Sequence, residues 1–109
     1  MKRSRPYSPL TIEAACLLGR HVGAARREHR WTLHELAERV GVTRTTISKV
    51  ERGDLTVGLG VAFEAAAVLG IPLFGADDNR RRMEAARTDD RLAVLPKSVR
   101  MPAPVDDDF

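Results

Sequence analysis

A chain of 109 residues, 43% apolar and 30% charged, has room for one small hydrophobic core plus tails. Its net charge is +3, and 15 of its 18 basic residues are arginine, whose planar fork suits phosphate and guanine edges. Cys16 is the only cysteine, so an intramolecular disulfide is excluded, and no apolar run approaches the ~18–20 residues of a membrane span.

The first residues, MKRSRPYS, form a basic, proline-containing arm. It reads either as a solvated tail or as an arm whose Lys2, Arg3 and Arg5 lie on phosphates or in a minor groove. No signal-peptide apolar core follows it, and a cytoplasmic protein is expected. Ser8-Pro9 predicts the start of a helix, with Ser as N-cap and Pro at the first helical position. That helix is expected to run to about His29. Ile12, Ala15, Cys16, Gly19, Val22, Ala25 and Arg26, joined by Leu18, give it a face of small residues. Leu10, Ile12 and Leu17 add apolar surface for a C-terminal segment or a second subunit.

Residues 32–53 read TLHELAERVGVTRTTISKVERG. Leu33, Leu36, Ala37 and Val40 recur at i, i+3, i+4 and i+7, one face of a helix. Gly41 follows, where a left-handed residue closes a helix at little steric cost. Thr43 is an N-cap for a second helix. That helix offers Ile47 and Val50 to a core, and its other side carries Arg44, Thr45, Ser48 and Lys49. Helix, glycine turn and helix with a basic polar face form the helix-turn-helix pattern.

A turn-rich connector, residues 53–58, leads to a helix expected over about Leu59–Leu69. Gly58 is a weak cap for it. Leu59, Ala62, Phe63, Ala66 and Leu69 are its expected buried stripe, Gly70 its C-cap, and Pro72 stops continuation. Ile71, Leu73 and Phe74 are expected to close the core. Asp77 or Asp78 caps a further helix from about Asn79 to Thr88, poor in apolar positions (Met83, Ala86) and so dependent on tertiary contacts. Residues 91–101, RLAVLPKSVRM, read as a short strand or extended docking segment. The acidic end, PAPVDDDF, reads as unstructured alone.

The stretch ELAERVGVTRTTISKVERG resembles the Xre/Cro/phage-repressor class of helix-turn-helix domains, with Ala37, Gly41, Ile47, Glu51 and Gly53 at the spacing of that class. The resemblance covers roughly residues 17–74. It implies an all-α, five-helix, lambda-repressor-like domain over residues 9–75. Residues 1–8 are then an arm, and residues 76–109 a dimerisation or partner-docking segment. It also implies a bacterial or phage repressor that binds double-stranded DNA as a homodimer on a palindromic operator. In the resemblance, Arg44, Thr45, Ser48 and Lys49 face the major groove, and Thr32, Thr43, Thr46 and Arg52 contact phosphate. Many members carry Gln where this chain has Leu33. His34 either substitutes for that contact or is merely solvated. The class also pairs an Arg and a Glu between its first and third helices, at the positions of Arg26 and Glu51. A Glu at a helix C-terminus opposes the macrodipole, so a partner is expected there.

The ends of the chain add a shorter resemblance. YSP before the first helix, and LPKSVR with VDDDF behind, look like antitoxins of the HipB type. Those bind HipA-type kinase toxins and repress their own operon. By that resemblance Asp106, Asp107 and Asp108 meet a positive kinase surface and Phe109 an apolar pocket. The bland alternative is a solubilising tail. A stand-alone phage-type or metabolic regulator is the other reading of the whole chain.

Enzymatic classes find little support. His21, His29 and His34 have no i, i+4 spacing and no HExxH, so no metal or cofactor is expected. There is no P-loop and no G-x-S-x-G elbow.

Overall fold

The computed structural model of the chain describes residues 7–99. The helices are α1 (Pro9–Glu28), α2 (Leu33–Val40), α3 (Arg44–Glu51), α4 (Leu59–Leu69) and α5 (Asp78–Val94), with one turn of 3-10 helix at Leu73–Gly75 before α5. No strand occurs among the described residues. The chain divides after Gly75 into two units.

In the first unit α3 packs on α1 and α2, and α4 packs on the same two helices. The core is Val22 from α1, Leu36 and Ala37 from α2, Ile47 and Val50 from α3, and Ala65 and Leu69 from α4. Leu36, Ile47 and Val22 are its largest fully buried side chains, each contributing about 1.5–3 kcal/mol by leaving water.

Local chemistry sets the helix ends. Ser8 Oγ accepts from the Thr11 amide at 3.3 Å and Pro9 begins α1. α1 closes in a Schellman arrangement: the Trp31 amide donates to the Arg26 carbonyl at 3.1 Å and the Arg30 amide to that of Arg27 at 2.9 Å. The left-handed position of this turn falls on Arg30 (φ 60), where glycine is usual. Thr32 and Glu35 form a reciprocal capping box at the start of α2. Gly41 closes α2 at φ 86, a conformation strained for other residues.

Several expectations are corrected. α4 is apolar nearly all round, so periodicity does not select its inner face. The buried residues are Ala65, Ala66 and Leu69; Leu59 is 68% exposed, and Ala62 and Phe63 are half-buried. Ile12, expected on the inner face of α1, is 48% exposed. Phe74 does not close the core. It is 85% exposed, its backbone is left-handed (φ 59), and its ring stands edge-on to that of Phe63 with centroids 6.2 Å apart.

In the second unit, Asp77 rather than Asp78 caps α5, accepting from the Arg80 amide at 2.8 Å. The helix runs past Thr88 to Val94, so residues 91–94 are helical and not the expected strand or extended docking segment. Asp78 pairs with Arg81, and Glu84 with Arg87 at 3.6 Å, at helical spacings that support it. Pro96 ends it by disfavouring helical backbone at Leu95, which is extended (φ −90, ψ 149). α5 holds no buried residue. Lys2, Arg3, Arg5 and the acidic end with Asp106, Asp107, Asp108 and Phe109 lie outside the described residues.

The α1–α3 packing depends on a missing side chain. A Cβ on Gly19 would stand 2.5 Å from the carbonyl oxygens of both Val50 and Glu51. Gly19→Ala would gain up to about 1 kcal/mol of helix propensity but force backbones apart, at about 1–3 kcal/mol. The clash is expected to win, and a denaturant titration should show net destabilisation. An unchanged or higher midpoint would mean that α3 retreats from α1 without loss.

Candidate nucleic-acid interface

α3 buries only Ile47 and Val50. Its amphipathic split leaves Arg44 and Thr45 exposed and Ser48 and Lys49 half-buried on the remaining surface. Thr43 caps it: its hydroxyl accepts from the Thr46 amide at 3.2 Å and shares a 3.0 Å hydrogen bond with the Thr46 hydroxyl. Leu33, Arg44, Thr45, Ser48 and Arg52 line an open depression of about 320 Å³ on this side of the domain. Two guanidinium groups therefore border one surface, beside the apolar Leu33.

At the start of α2, Thr32 and Glu35 are occupied with each other. The Thr32 amide donates to Glu35 Oε1 at 2.8 Å, and the Glu35 amide to Thr32 Oγ1 at 3.1 Å. The Thr32 amide first, and the Thr32 side chain second, lower the pKa of the Glu35 carboxyl from its ordinary value. A helix N-terminus attracts anions, but here it already carries the Glu35 carboxylate. His34 lies 3.5 Å from Glu38, both largely exposed.

The exposed side of α3 is braced from behind. Arg26 Nε donates to Glu51 Oε2 at 2.6 Å and Nη2 to Glu51 Oε1 at 3.2 Å. Its third nitrogen, Nη1, donates to the Trp31 carbonyl at 2.9 Å. One guanidinium thus ties α1, the α1–α2 turn and the end of α3. Both side chains of the pair are 12–15% exposed. The hydrogen bond to Glu51 is the main cause of the raised Arg26 pKa, partly opposed by burial. Gly23 leaves room for the carboxylate: a Cβ there would stand 3.3 Å from Glu51 Oε1.

Trp31 was not singled out from the sequence. Its ring stacks on His29 with centroids 4.4 Å apart, and the Arg39 guanidinium lies 4.0 Å from its centroid. The available signal was an apolar residue just before the Thr32 cap, with Leu36 four positions into the helix, the two positions of a hydrophobic staple.

A helix-turn-helix family model matches residues 22–75. These residues form a helix-turn-helix domain of the Xre/Cro type. The domain is that of a DNA-binding transcriptional regulator, and its family is not one of enzymes. No curated protein matches the chain. Among the described residues no helix is long and apolar enough to cross a membrane.

Within the helix-turn-helix domain, Glu51→Gln keeps the shape but removes the charge facing Arg26. A fully buried pair broken in this way costs about 3–5 kcal/mol; the residual exposure here reduces that to about 2–3 kcal/mol. The expected result is a melting temperature lower by on the order of 10 °C, with sequence preference at permissive temperature kept. An unchanged melting temperature would show that the pair does not brace α3.

Proposed function

We propose that the chain is a sequence-specific repressor. Two copies sit on a palindromic operator, with half-sites about one helical turn, ~34–36 Å, apart. The observation that carries this reading is the exposed polar face of α3, held from behind by Arg26 and Glu51. Arg44, at the N-terminal end of α3, pairs with guanine O6 and N7, a contact worth about 1–3 kcal/mol of discrimination. Thr45 touches a thymine methyl, and Lys49, one turn on, reaches a base or phosphate. Thr32, His34, Thr43 and Thr46 set the register on phosphates. Leu33 offers no donor, so backbone affinity comes from other positions.

We further infer that the protein is an antitoxin and autoregulator partnered by a HipA-type kinase toxin in the cytoplasm. Residues 76–109 form the dimerisation and docking segment, with Asp106, Asp107, Asp108 and Phe109 on the toxin. The support is the likeness of LPKSVR and VDDDF to HipB-type tails. A stand-alone regulator would have the same domain and no such partner.

Arg44→Ala and Lys49→Ala test the reading of DNA. Each should weaken binding to an operator selected from random duplexes, by roughly tenfold to a hundredfold, with unchanged helical circular dichroism. Normal operator binding by both variants would refute the assignment of α3. Truncation after Leu95 tests the partner. It should leave operator affinity intact and weaken the complex with a HipA-type kinase encoded beside it. Equal kinase affinity with and without the tail would remove the docking role, and no kinase partner at all would favour the stand-alone regulator.

A further inference from the structure

By resemblance Arg52 stands among the phosphate contacts, but its geometry is that of a different task. Arg52 caps the C-terminal end of α3. It follows Ser48 by four residues and Arg44 by eight, so the three share one helix side over about 12 Å of axis. Helical side chains lean toward the N-terminus, and here a hydrogen bond fixes that lean: Arg52 Nη1 donates to Ser48 Oγ at 2.9 Å. The guanidinium is thereby drawn back along α3 toward Arg44 and Thr45. It lines the same depression as those two residues and Leu33.

The bond to Ser48 uses one N–H of Nη1 and leaves the Nε–Nη2 edge whole. Among the described residues no carboxylate lies within salt-bridge distance of Arg52. A paired N–H edge held beside the base-reading end of the helix matches the paired acceptors O6 and N7 of guanine. We propose that Arg52 is a second base-reading arginine, that its target is a guanine edge in the major groove, and that Ser48 is the positioning residue that aims it. This rests on the placement of α3 in the major groove. It assigns Ser48 an action through Arg52 in place of a direct base contact.

The test uses the full chain and a library of random duplex DNA, from which the wild-type protein and each variant select their preferred sequences. Arg52→Lys keeps the charge and loses the fork. It should relax a guanine preference at one position per half-site, by roughly tenfold, with the salt dependence of binding unchanged. Ser48→Ala should relax the same position, and Ser48→Thr, which restores a hydroxyl, should recover it. In the selected duplex, 7-deazaguanine at that position should weaken wild-type binding and leave Arg52→Ala binding unaffected. If Arg52→Ala still selects the wild-type sequence, weakening all duplexes alike and lowering the salt slope by about one, Arg52 is a phosphate contact and the proposal is overturned. If Ser48→Ala leaves the position intact, Ser48 does not aim Arg52. A wild-type protein that enriches no sequence overturns the placement of α3 along with this proposal, whereas Arg44→Ala relaxing its own separate position keeps the former while the Arg52 variants decide the latter.

Discussion

The structure of the first unit depends on one guanidinium. Arg26 donates to both oxygens of Glu51 and to the Trp31 carbonyl, so α1, the α1–α2 turn and α3 share a single hub. Its location resolves an electrostatic conflict. Glu51 ends α3, where the partial negative charge of the helix C-terminus disfavours a carboxylate. A bidentate arginine supplies the opposite charge with directional bonds. The Nε–Nη2 fork on Glu51 and the remaining nitrogen on the Trp31 carbonyl engage all three guanidinium nitrogens, which restrains the orientation of α3 about its own axis as well as its distance from α1. That rotation decides which side chains leave the domain on the polar side.

The close approach this hub needs is set by side chains that α1 lacks. Gly19 lets the last carbonyls of α3 lie against the α1 backbone, and Gly23 leaves space for the Glu51 carboxylate. Glycine inside a helix weakens it by about 1 kcal/mol relative to alanine, so two in α1 would be unfavourable without return. Here the return is the ion pair and the burial of Val22 against Ile47 and Val50 in one cluster. Packing and electrostatics therefore depend on each other. The pair is little screened because it is mostly out of water, and α1 carries no bulk at Gly19 and Gly23 to hold α3 away.

What could be read from residues alone follows from how local each cause is. The caps at Ser8, Thr43 and Gly41, the stripe of α2, and the two core residues of α3 rest on interactions within a few residues, and they were legible. The Arg26–Glu51 pair spans 25 positions and was suggested by a family pattern together with the macrodipole argument. The inner face of α4 was not legible, because eleven nearly all-apolar residues carry no periodic contrast; the neighbours chose Ala65 over Leu59. Phe74 was misplaced because a left-handed bulky residue is improbable from composition. α5 outran its expected end because Leu92, Ala93 and Val94 tolerate helix until Pro96 forbids it. The Ser48–Arg52 bond was invisible for a further reason. On a polar helix side several i, i+4 pairs are available, and nothing in their types ranks them.

The division of labour on α3 has a consequence for how such a domain changes. Ile47 and Val50 supply its attachment, and Glu51 its orientation. Arg44, Thr45, Ser48, Lys49 and Arg52 supply none of the core. Substitutions at exposed positions away from cores and caps usually alter stability by less than about 0.5 kcal/mol, so the polar side can vary while the frame persists. Leu33 is the exception. It packs partly against the core and also lines the depression that Arg44 and Arg52 share. A change there alters the frame and the surface together, which couples stability to recognition at that one residue.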